Sequence, residues 1–236
     1  MTLVSHDHKF ILLRTRKTAS TSVEMFLQPF CTPPNTPVVE VSRSIVSSHG
    51  IVGQRLGKER HTMPVEEGEI RDVWFSHQNA DSLKKLLGKR VWSNYQKISI
   101  VRNPFEKVRS AFIWTMRARL QDLTDEQKIA RFRKKVRAGK FKNDAEVVFT
   151  GLKTGKKPKF EPDILLKTEN IANDLLDLCK TLKLDPSGTE LPITKQIVKK
   201  SKAIPLADWY DDETIDSVRR DFSWIFEHGG YPDAPT

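Results

Sequence analysis

Short apolar runs and polar, helix-like stretches alternate along this chain. KFILLR (9–14), DVWFS (72–76), KISIV (97–101) and DILLK (163–167) have the length and β-branched or aromatic content of strands buried on both faces. Between and after them, apolar residues recur every three or four positions. That period predicts helices over 19–27, 81–87, 104–120, 125–137, 171–182 and 212–226. Some boundaries are explicit. Asn103, Pro104 and Glu106 give an N-cap, a first-turn proline and a capping-box acid, Thr124 with Gln127 repeats the box, and Gly139 ends the basic helix. Strands separated by helices predict an α/β fold with a central, mainly parallel sheet. CTPPNTP (31–37) stops the first helix and opens a connection to about residue 70, in which RSIVSSHGIVGQR (43–55) has no assignable period.

A parallel sheet gathers its chemistry beyond the carboxyl ends of its strands. After the first predicted strand comes TRKTASTS (15–22), after the second HQN from His77, and after the third RNPFEKVRS from Arg102. The first loop suits an anion. Backbone N–H groups at a helix start are unsatisfied and lie at the positive end of its dipole, Lys17 adds a charge, and the hydroxyls of Thr18, Ser20, Thr21 and Ser22 add donors. The same residues also read as a hydroxyl-rich helix cap beside a solvated lysine. Arg102, with Ser110 eight residues on, suits a phosphate clasped by a guanidinium fork and a hydroxyl, or else an arginine paired with a neighbouring acid.

Charge sharpens the picture because it is local. Of the net +10, all lies between Lys128 and Lys159, where twelve Lys/Arg face two acids; the remainder holds 28 of each sign. Such a field attracts anionic ligands to one segment. The 236 residues fit one domain, 1–236, with a basic excursion at about 122–161. The two cysteines, Cys31 and Cys179, lack CxxC or Cys/His spacing, so no metal site is expected. Without a span-length apolar run or the regions of a signal peptide, a cytoplasmic, membrane-free protein is expected.

HKFILLRTRKTASTSVE resembles the 5′-phosphosulfate loop of sulfotransferases that use 3′-phosphoadenosine-5′-phosphosulfate (PAPS), which in the branch acting on carbohydrates commonly reads PKTASTS or PKTGTTS. SIVRNPFEKVRSAF is similar to that family's 3′-phosphate motif, usually RDPxxR with a serine eight residues on. PDILLKTENIANDL and YDDETIDSVRRDFSWIFEHGGY resemble its later strand–helix unit and C-terminal helix. Departures are Arg16 where proline is usual and Asn103 where aspartate is usual. The resemblance implies a P-loop NTPase-like three-layer fold and transfer of the PAPS sulfuryl group to a hydroxyl, with no metal required. It assigns Arg16, Lys17, Thr18, Ala19, Ser20, Thr21 and Ser22 to the 5′-phosphosulfate, Arg102 and Ser110 to the 3′-phosphate, Lys17 to the leaving bridging oxygen, and His77 to the general base.

His77 has an unperturbed pKa of about 6.5, suited to proton abstraction near neutrality. His49 and Glu24 are rival bases, whereas His6, His8, His61 and His228 read as surface or packing residues. Trp74, Phe75, Trp92, Phe112 and Trp114 read as core. Arg131, Lys134 and Lys135 of the basic helix, with His49, are candidates for holding an anionic glycan acceptor, and KQIVKKSK (195–202) reads equally as a phosphate grip or a solvated loop. Two other functions compete. A P-loop nucleotide kinase would need the Walker GxxxxGK[ST] and magnesium ligands, which are absent from the sequence. A non-catalytic polyanion or nucleic-acid binder would use the basic segment and leave the Arg102/Ser110 spacing unexplained; no nucleic-acid partner is expected.

Overall fold

The computed structural model describes residues 2–55, 73–155, 157–189 and 204–235. Two compact units divide the chain: residues 1–100, 144–166 and 170–194 form the first, and residues 101–143, 167–169 and 195–236 the second.

The central sheet has six strands in the order β3-β4-β1-β2-β5-β8, where β1 is Leu3–Ser5, β2 Phe10–Leu13, β3 Ile45–Val46, β4 Gly50–Val52, β5 Gln96–Val101 and β8 Ile164–Lys167. β2 and β5 are parallel, Phe10 opposite Gln96 and Leu13 opposite Ser99. β8 runs the same way beside β5, since the Asp163 N–H donates to the Lys97 carbonyl at one end and the Thr168 hydroxyl to the Val101 carbonyl at the other. The core of the sheet is therefore parallel. β1, β4 and β3 continue it with antiparallel pairings. With helices flanking the sheet, this is the P-loop-like three-layer α/β architecture.

Burial explains why β2 reads as a continuous apolar run. Phe10, Ile11, Leu12 and Leu13 are all buried, so neither face is available to polar residues. Phe10 and Leu12, with Ile98 and Ile100, pack against Val23, Phe26 and Leu27 of α1 (Ser20–Leu27) and against Leu175, Leu178 and Cys179 of α6 (Ile171–Leu182). Both cysteines are reduced and buried, and burial pushes their thiols up. The first unit also contains α2 (Ala80–Asn94), α5 (Ala145–Val148) and a hairpin of β6 (Phe149–Thr150) with β7 (Lys159–Phe160).

The second unit is built on an aromatic cluster. α3 (Pro104–Met116) and α4 (Asp125–Arg137) contribute Phe105, Phe112 and Phe132, which meet Trp209 and Tyr210 edge-to-face at 5.0–5.9 Å. The buried Tyr210 hydroxyl donates to the Phe105 carbonyl at 2.7 Å. α7 (Asp212–Asp221) and α8 (Ser223–Gly229) complete the unit.

Several sequence expectations change. The strand expected at 72–76 is, over its described residues, a coil with one bridge from Phe75 to Gln54. LVS at the N-terminus and IV and GIV within 43–55 do form strands. α2 continues past Leu87 to Asn94 across a break at Gly88, whose φ of 76° glycine tolerates. α3 ends at Met116 and continues as a 3₁₀ turn to Arg119, and the helix expected over 212–226 is interrupted at Phe222. Trp92 and Phe112 are core as expected, but Phe75 and Trp114 are exposed and Trp74 is half-buried. KQIVKKSK and His61 lie outside the described residues.

Candidate functional site

The loop joining β2 to α1 carries two residues in the left-handed region, Lys17 (φ 63°) and Ala19 (φ 53°). Neither is glycine, so this backbone is held by its surroundings. Much of that holding comes from hydroxyls. Thr15 Oγ1 donates to the Ile100 carbonyl of the neighbouring strand at 2.5 Å. Thr18 Oγ1 lies 3.0 Å from Thr15 Oγ1, and Ser20 Oγ donates back to the Thr15 carbonyl at 2.8 Å. Thr18, Ser20, Thr21 and Ser22 are all buried, while Lys17 is half-buried and Ala19 exposed. The hydroxyls of Thr18 and Ser20 thus hydrogen-bond within the loop itself.

Arg14, 5 % exposed, anchors the loop from below. Its guanidinium donates to Ser20 Oγ (3.0 Å), Thr21 Oγ1 (2.8 Å) and Ser76 Oγ (3.2 Å), and pairs with Glu24 at 2.6 Å. Burial lowers its pKa to about 10, with Glu24 opposing, so it stays charged at neutral pH. Glu24 is wholly buried, and Arg55 also comes within 3.7 Å of the same Oε2 that Arg14 holds. A buried carboxylate so paired with guanidiniums has the geometry of a structural ion pair.

His77 belongs to the same site. Its backbone is left-handed (φ 57°), and its Nδ1 lies 2.9 Å from the Arg14 carbonyl. A carbonyl only accepts, so Nδ1 carries the proton and Nε2 is left as the acceptor. The sequence reading took an ordinary imidazole; the structure corrects this. Burial, and next the Arg14 guanidinium, push the pKa down to about 3, so the ring is neutral at physiological pH.

Arg16, the departure from the proline pattern, is engaged by an acid 128 residues away. Its backbone N–H donates to Asp144 Oδ2 at 2.8 Å and its guanidinium pairs with Asp144 Oδ1. Asp144 is 2 % exposed and itself left-handed (φ 61°). Nothing in the local sequence around RKTASTS signals this partner.

Residues of the second unit form the other group. Asn103 caps α3 as expected, its side chain accepting from the N–H groups of Phe105 (3.0 Å) and Glu106 (3.3 Å). The capping-box acid is a different one, however. Glu169 accepts the Asn103 N–H at 2.8 Å, while Glu106 turns its carboxylate to Arg102 (3.1 Å) and Arg109 (2.6 Å). Arg102 is thus partnered by an acid, and both it and Ser110 are half-buried.

On α4 the cations divide. Arg133 donates to the carbonyls of Asp208, Trp209 and Tyr210, and Arg137 pairs with Asp211 and Glu213. Arg131 and Lys134 are exposed and Lys135 half-buried, spaced so that they share one helix face. His49 is placed elsewhere. It follows β3, pairs with Asp7 at 2.6 Å, and precedes Gly50, which registers with Ser5 and so with Phe10, the opposite end of β2 from the Lys17 loop. The structure therefore does not bring His49 to the loop. Among the described residues no cluster of His, Cys, Asp or Glu forms a metal site, and no helix is long and apolar enough to cross a membrane.

No curated protein and no solved structure matches the chain significantly. The family model for the sulfotransferase family matches residues 1–186 of the 236, a span that includes the Lys17 loop, His77, Arg102 and Ser110. The chain belongs to the sulfotransferase family.

Proposed function

We propose that the protein transfers the sulfuryl group of PAPS to a hydroxyl of an anionic carbohydrate. The observation that carries this reading is the β2–α1 loop: a backbone turned left-handed at Lys17 and Ala19 at the start of a helix, with neutral His77 fixed on the carbonyl of Arg14. Helix-start N–H groups and a lysine suit a phosphosulfate. The donor, when bound, supplies the sulfuryl group; every other role falls to the chain. Lys17 stabilises the charge gathering on the bridging oxygen, and being in place beforehand it needs no reorganisation. His77 Nε2 takes the proton of the attacking hydroxyl. Arg102 and Ser110 hold the 3′-phosphate, with Glu106 giving up its hold on Arg102. Arg131, Lys134 and Lys135 engage the anionic acceptor. Sulfuryl transfer places less charge on the migrating group than phosphoryl transfer, so no metal is required.

Calorimetric titration with 3′-phosphoadenosine-5′-phosphate tests the reading. Metal-independent binding that is lost when the 3′-phosphate is removed supports it. Binding or turnover abolished by EDTA would instead indicate a kinase-type phosphotransferase.

A further inference from the structure

Two donors of Arg16, its backbone N–H and its guanidinium, meet the Asp144 carboxylate. Lys17, the next residue, is held at φ 63°, a conformation that costs a lysine free energy and persists only where the surroundings enforce it. The backbone bond at Arg16 is the last fixed point before that residue. Asp144 is well suited to supply it, being 2 % exposed, left-handed itself, and fixed at the start of α5, where its carbonyl accepts the Val147 N–H at 2.9 Å. Asp144 and Arg16 also appear among the charges felt by His77, raising and lowering its pKa respectively, so both lie close enough to influence the base as well as the loop.

From this geometry we infer that Asp144 is a positioning residue: by clamping the N–H and guanidinium of Arg16 it holds Lys17 in the conformation that faces the sulfuryl donor. The inference rests on the proposed donor role of the loop for its catalytic consequence, but the clamp itself is independent of any ligand. A second consequence concerns charge. The Arg16 guanidinium is paired with the buried Asp144 carboxylate, so Arg16 acts as a tether.

A double-mutant cycle separates a clamp from general stabilisation. Proline at 16 stiffens the chain but has no N–H. Alone, Arg16→Pro leaves the buried Asp144 carboxylate without either donor and is expected to be severely impaired. In the Asp144→Ala background that liability is gone and the stiffness remains. Two readouts are needed: hydrogen exchange of peptides covering residues 14–22, and kcat/KM for PAPS.

Asp144→Ala is expected to speed exchange in those peptides and to lower kcat/KM by roughly 10- to 100-fold, the scale of an ångström-sized misplacement. Asp144→Ala/Arg16→Pro is expected to recover slower exchange and at least part of kcat/KM relative to Asp144→Ala, and to exceed Arg16→Pro alone. Unchanged exchange in Asp144→Ala, or a double variant no better than either single one, overturns the clamp. If the unaltered protein does not turn over PAPS while the exchange pattern follows the cycle, the clamp stands and the sulfotransferase reading of the loop falls.

Discussion

Replacing His77 by asparagine gives the most direct check on the electrostatics of the site. Asparagine tolerates the left-handed backbone at this position and can still donate to the Arg14 carbonyl, so it removes the titrating ring with little backbone change. In the folded protein the ring titrates at about 3, and in the unfolded chain near 6.5. Because the folded value is depressed, the unfolded chain binds more protons between those limits. Stability is therefore full above about pH 6.5 and is lost as the pH falls toward about 3. Linkage then gives a loss of about 2 kcal/mol between pH 7 and pH 5 from this one residue. Carboxylates shared by both proteins cancel when the variant is compared with the parent. Urea unfolding followed by tryptophan fluorescence at pH 7 and pH 5 should show a pH-induced loss about 2 kcal/mol smaller in His77→Asn. An identical pH dependence in the two proteins would refute the buried, neutral imidazole. If His77 is also the base, the acid limb of kcat/KM, which reports the free enzyme, should lie well below pH 6.

Other expectations follow from the same geometry. Lys17→Ala should reduce kcat roughly 100- to 1,000-fold in a PAPS-dependent transfer assay, the scale of removing one preorganised donor to a developing anion, with circular dichroism unchanged. Arg102→Ala should weaken 3′-phosphoadenosine-5′-phosphate binding roughly 10- to 100-fold in calorimetry, while leaving adenosine 5′-phosphosulfate, which lacks the 3′-phosphate, nearly unaffected. Glu24→Gln leaves the buried Arg14 guanidinium without its counter-charge and should cost about 3–5 kcal/mol in denaturant unfolding.

The elements legible in the sequence were those specified locally. β2 is a continuous apolar run, β5 is rich in β-branched residues, α4 has its capping box at Thr124 and its glycine at 139, and Asn103 caps α3, all signals contained within a few residues. β3 and β4 were missed because SIVSSHGIV mixes hydroxyls with aliphatics and its pairing is set by β1, a partner more than forty residues away. DVWFS carries strand-like residues but exposes Val73 and Phe75, showing composition without a sheet position to fill. At the site, Lys17, His77 and Arg102 could be picked out because each follows an apolar run. The inward direction of the Thr18 and Ser20 hydroxyls, and the depressed pKa of His77, depend on the tertiary environment. So do the substitution of Glu169 for Glu106 at the α3 cap and the link from Asp144 to Arg16.

That last link bears on the order in which the protein is made. Asp144 is synthesised 128 residues after its partner Arg16. Until then the loop lacks the carboxylate that fixes it, whatever β2 and α1 have already done. Closing so long a separation is entropically slow. A nascent chain ending before Asp144 thus carries RKTASTS without its tether, and the β2–α1 loop acquires its final shape only after Asp144 is made.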